Sequence, residues 1–197
     1  MFLKMRIPNA VLVLVLCSVA AVSFGAKPCD PDTWKLIAVT SAMMAAYPDE
    51  LPEHVEKNRE LLGEKGPFQG CLNDLIKRLT EKTLSQPSRK EIVKAAMDIA
   101  SKHGRPELGD RVAEDFMDTH QELLKVAQYL NNTANAVSIL LADDLERYRH
   151  VAFYQQNAFR WHEMRALFQP DDVAAVQKIT NDLYVWYFLA LSRGVKD

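Results

Sequence analysis

This chain is short of places to turn. Seven glycines punctuate 197 residues, and none follows an asparagine or aspartate. The Asn-Gly and Asp-Gly dipeptides that close two-residue β-hairpins between alternating apolar residues are therefore missing. Apolar side chains recur instead at intervals of three and four, the spacing of a helix face. The pattern predicts an all-α fold, a single-domain helical bundle of about six to seven helices.

The helices can be placed from their ends. Asp30 and Pro31 suit an N-cap and a first turn, opening a helix over 30–47 that is apolar nearly all round from Trp34 to Ala46 and is therefore expected to be buried on several sides, with Ala42, Ala45 and Ala46 permitting close approach. A polar, charge-laced stretch over 52–62 predicts a short surface helix ending at Gly63. From Phe68, the set Phe68, Leu72, Leu75 and Leu79 marks a buried stripe. Ser88 and Glu91 form a capping box for a helix that stops at Gly104, with Pro106 beyond. A helix from about residue 110 is expected to bury Val112, Phe116, Leu123, Ala127 and Leu130 and to break at 131–133, where Asn131, Asn132 and Thr133 compete with the backbone for hydrogen bonds. Residues 134–168 contain no proline or glycine and predict one helix of roughly 50 Å. Asp171 and Asp172 open the last helix, closed by Gly194.

The N-terminus reads as an export signal. Lys4 and Arg6 precede an apolar run over 10–22, and Ser23 and Gly25 offer small residues for cleavage. The run is about 13 residues, short of the roughly 20 that a membrane-spanning helix needs. Residues 1–25 are therefore expected to be a removed signal peptide, 26–197 the single mature domain, and the destination the periplasm or the exterior. Cys17 leaves with the signal and follows Leu16, where a lipid-anchored protein would carry a small residue. The remaining pair, Cys29 and Cys71, is expected to form a disulfide in an oxidising compartment, worth about 3–4 kcal/mol through loop closure.

Charge excludes some partners. Removing Lys4 and Arg6 leaves 22 basic against 26 acidic side chains, interspersed along the chain. Such a surface argues against nucleic acid and against a charge-driven membrane reader. A membrane-active role for the apolar first helix is disfavoured by its near lack of basic residues.

Catalytic motifs are absent too. The chain has no Gly-x-Ser-x-Gly, no Ser-x-x-Lys, no phosphate-cradling glycine pattern and no Cys-x-x-Cys-His. None of its five histidines follows a glutamate by three residues, as metal-binding bundles require, so neither a metal nor a cofactor is expected. Glu146 and His150 share a face at i, i+4, which more simply makes a surface ion pair. His120, four residues after Phe116, suits a hydrogen-bonded, half-buried histidine better than a ligand. The catalytic candidates are thus Glu146, Arg147, His150 and Gln155; the stripe of Val137, Leu141, Leu145, Tyr148, Ala152 and Phe159 brings Gln155 near the core, where a buried amide needs partners.

Aromatic residues crowd the C-terminal half. Nine successive positions from Leu183 to Leu191 are apolar or aromatic, leaving that helix no polar face. It is either the surrounded centre of the bundle or a surface left for a partner, with Trp161, Tyr184, Trp186 and Tyr187 as binding candidates. Tyr148, Phe153, Tyr154, Phe159, Trp161 and Phe168 occupy more than one side of the preceding helix, which fits burial between neighbours. The expected function is a non-enzymatic exported protein that binds another protein, as an immunity or adaptor protein does. A carrier of an apolar small molecule between aromatic helices, and an all-α enzyme with an Arg/Glu/Gln site, are the alternatives.

Overall fold

The computed structural model describes residues 29–158 and 165–195. The expected signal peptide over 1–25, and Trp161, lie outside the described residues. Nine α-helices and two short 3-10 turns, with no strand among the described residues, confirm the all-α bundle.

Helix α1, Pro31–Ala46, is the central element. Asp30 caps it, its carboxylate accepting the Thr33 backbone N–H at 2.7 Å. Ile37, Ala38, Ala42, Met44, Ala45 and Ala46 are all buried, because the helix has neighbours on every side. The most extensive of these contacts is with α9, Val173–Ser192. A helix end inside a protein leaves its last carbonyls without helical partners; a side chain from elsewhere supplies one for Ala46, and two others donate to carbonyls within and just beyond α1. Tyr129 donates to the Ser41 carbonyl, Gln177 Nε2 to that of Ala46 at 2.6 Å, and Tyr148 to that of Pro48 at 2.5 Å.

The expected surface helix divides at Asn58 into α2, Leu51–Lys57, and α3, Arg59–Leu62. Helix α4, Phe68–Thr80, buries the predicted stripe and also Cys71, whose disulfide to Cys29 has a Cα–Cα separation of 5.7 Å. Helix α5, Arg89–Lys102, starts at the predicted capping box: Ser88 N–H donates to Glu91 Oε2 at 2.8 Å, and Glu91 N–H to Ser88 Oγ at 3.4 Å. It packs on α6, Gly109–Thr119, so closely that a Cβ on Gly109 would lie 2.5 Å from Met97 Sδ and 3.0 Å from Met97 Cα.

Beyond α6 two expectations fail together. The chain breaks at 120–122, not at 131–133, and α7 runs from Leu123 to Leu141 straight through the Asn-Asn-Thr stretch. Those polar side chains do not compete with the helix here: Asn131 is exposed, Asn132 Nδ2 donates to Gln155 Oε1 at 2.9 Å, and Thr133 Oγ1 donates back to the Tyr129 carbonyl at 3.2 Å. The predicted helix over 134–168 is likewise interrupted at 142–144. Asp143 adopts a left-handed φ of 58°, Asp144 N–H returns to the Ile139 carbonyl at 3.2 Å, and the Asp144 side chain accepts the Arg147 N–H at 3.0 Å to start α8, Leu145–Ala158. Arg59 of α3 pins this corner, donating to the Leu141 carbonyl at 3.1 Å and to Asp143 at 2.6 Å. These breaks and the split at Asn58 account for nine helices among the described residues, against an expectation of about six to seven for the chain.

Candidate functional site

The four catalytic candidates are not brought together. Gln155 is buried on the inward side of α8 with Tyr148 and Ala152. Glu146, Arg147 and His150 are exposed on the outward side of the same helix. Glu146 and Gln155 are nine residues apart, half a turn out of phase at 100° per residue. Gln155 Oε1 holds Asn132, while its Nε2 has no partner among the described residues; the amide bridges α7 and α8. Glu146 and His150 form no ion pair. Among the described residues, no three His, Cys, Asp or Glu side chains converge as a metal would require.

The aromatic candidates of α9 are chiefly core. Tyr184 and Tyr187 are buried and Trp186 is half-buried. Their neighbourhood is a filled cluster of rings. His120 stacks on Phe116 at 4.4 Å between centroids and meets the rings of Tyr184 at 5.2 Å and Tyr187 at 5.4 Å. Tyr129 stacks on Phe188 at 5.7 Å. Of the two explanations for the nine-residue apolar run, Tyr184 and Tyr187 take the buried one, because α9 lies against α1, α5 and α6 at once.

His120 is more deeply buried than its sequence position implied. It ends α6, its backbone N–H bonding the Phe116 carbonyl at 3.1 Å and its Nδ1 lying 3.2 Å from the same oxygen. Burial lowers its pKa to about 4, against a weaker opposing effect of the Phe116 carbonyl. Burial likewise raises the pKa of Tyr184 and Tyr187, keeping both phenols neutral. A neutral imidazole held against its own helix closes the α6–α7 corner and is poorly placed to shuttle protons. One edge of it borders an open cleft of about 460 Å³ between the start of α5 and the end of α6, lined also by Arg89, Glu114 and Asp118. A second open groove, about 770 Å³, lies beside Arg59, Lys65 and Gln69.

The feature that sequence reasoning misplaced is the outer face of α8. Phe153 and Tyr154 were expected to be buried; they are 60% and 72% exposed, with ring centroids 5.9 Å apart. Leu145, expected on the buried stripe, is also exposed. The reason is geometric. Tyr148, Ala152 and Gln155 set the inward direction of α8, and residues 153 and 154 project about 120–140° away from it. The break at 142–144 also resets the phase, so that Leu141 and Leu145 no longer continue one stripe. The signal was readable: two adjacent aromatics on a helix cannot both follow a stripe that runs through 148, 152 and 155.

Comparisons with known protein families, curated proteins and solved structures return no match for this chain. Among the described residues, no helix is long and apolar enough to cross a membrane.

Proposed function

We propose that this chain is an exported, non-enzymatic helical protein of the periplasm or the exterior that binds another protein through the outer face of α8. The reading rests on one observation: Phe153 and Tyr154 stand side by side in solvent, while Phe116, Tyr129, Tyr184, Tyr187 and Phe188 pack on one another inside the bundle. Large rings anchor protein interfaces because each removes much apolar surface from water on binding and loses little rotamer freedom, and a central anchor contributes about 2 kcal/mol or more. Export is supported by the leader-like pattern over 1–25 and by the Cys29–Cys71 disulfide.

The test is native mass spectrometry of the protein isolated gently from its own compartment, with and without prior cross-linking. A second polypeptide in the native mass, lost in F153S/Y154S, is the expected result. Both positions are exposed, so the double variant should keep its stability within about 0.5 kcal/mol. A bare monomer in every sample, or a partner retained by the double variant, would reject the reading.

A further inference from the structure

The outer face of α8 carries charge beside its rings. Arg147, Arg149 and His150 are exposed there. Arg149 and Phe153 lie one turn apart, as do His150 and Tyr154, and Arg147 lies two turns before Tyr154. Arg149 thus borders Phe153 and Arg147 borders Tyr154, from opposite edges of the exposed face. The acids that precede the helix are already engaged, Asp143 with Arg59 at 2.6 Å and Asp144 as the N-cap. Glu146, the carboxylate within α8, forms no ion pair with Arg147, Arg149 or His150. Two arginines therefore flank two exposed rings, with Glu146 as the one carboxylate of α8 beside them, so this face carries net positive charge on a chain whose net charge is −2.

We infer that the occupant of this face is an acidic amphipathic segment of a protein partner, its apolar side chains covering Phe153 and Tyr154 and its carboxylates pairing with Arg147 and Arg149. The inference rests on the reading of α8 as a docking face. A guanidinium offers a planar fork that a carboxylate fills with two parallel hydrogen bonds, and an apolar surround strengthens such pairs by excluding water. An anionic membrane is the weaker fit, since lipid-binding segments cluster about four to eight cations where this face has two arginines.

Two synthetic helical peptides test the inference, alike in apolar positions but carrying glutamate at every polar position in one and lysine in the other, titrated into the disulfide-bonded protein by fluorescence anisotropy. The glutamate peptide should bind at least about tenfold more tightly than the lysine peptide and weaken as salt is added, because its ion pairs lie at the interface rim. R147E/R149E should reverse that preference, and F153S/Y154S should weaken both peptides. Equal binding of the two peptides that is lost in F153S/Y154S would leave α8 as a docking face and overturn the acidic partner. Peptide binding indifferent to F153S/Y154S would overturn both readings. Vesicles of phosphatidylglycerol and phosphatidylcholine serve as a third probe, and vesicle binding without glutamate-peptide binding would assign the face to a membrane and overturn the inference. No binding to any probe would also overturn it, while a polypeptide cross-linked to α8 in the native sample would still uphold protein binding.

Discussion

His120 sits where a positive charge is costly to hold, enclosed by Phe116, Tyr184 and Tyr187. The unfolded chain takes up the imidazole proton near pH 6.5 and the folded protein only near about 4. Between those values the unfolded state binds more proton, so stability contributed by this residue is lost as pH falls through the window, by about 3 kcal/mol in all, and changes no further below it. Urea unfolding of the protein and of His120→Gln, at neutral pH and near pH 4, should show the smaller acid-induced loss in the variant. The carboxylates of Asp30, Glu91 and Glu107, held below their ordinary range chiefly by Thr33, Ser88 and Arg105 respectively, destabilise both proteins alike on acidification and cancel in the comparison. Equal losses in the two proteins would show that His120 does not set the pH response. The sequence marked this histidine as belonging to a core stripe, from its spacing to Phe116. The depth of its burial depends on rings contributed by α9, some sixty residues away in sequence, and no local pattern reports that distance.

At the scale of elements, helix starts were more legible than helix interruptions. Asp30 and the Ser88–Glu91 box act through side chains and amides within four residues of one another, so their spacing alone identifies them. Ser88→Ala should cost about 1 kcal/mol, measurable as a shift in denaturant midpoint at constant slope; no shift would mean that the first turn of α5 is held by packing alone. Breaks are decided differently. The corner at 142–144 needs a residue willing to take a left-handed conformation and something to hold the freed carbonyls, and the second requirement is met by Arg59 from α3. Arg59→Ala should therefore lower the melting temperature and raise amide exchange at the end of α7 while leaving α5 protected; exchange unchanged at 139–144 would contradict that role. The Asn-Asn-Thr stretch shows the converse. Its residues favour a break in isolation, yet Gln155 and the Tyr129 carbonyl take up their polar groups and α7 continues.

For the whole molecule, the core is one contiguous cluster from Trp34 to Leu191, tied at one point by a covalent bond. Replacing both cysteines, Cys29→Ser and Cys71→Ser, should cost about 3–4 kcal/mol, in the loop-closure account, without altering the helical far-ultraviolet signal; an unchanged denaturant midpoint would show that the N-terminal segment is held equally well without its staple. The all-α class, the buried character of α1 and the pairing of Cys29 with Cys71 were determined by the sequence alone, because they follow from turn chemistry, hydrophobic period and cysteine count, which are local or compositional properties. Tertiary structure alone decided where the chain turns between 119 and 145, that Tyr184 and Tyr187 face inward, and that Phe153 and Tyr154 face out. Each of those outcomes depends on which helices lie against which. A helix rich in aromatics on several sides buries only as many of them as it has neighbours to cover, and α8, packed chiefly on α7 and α1, has too few.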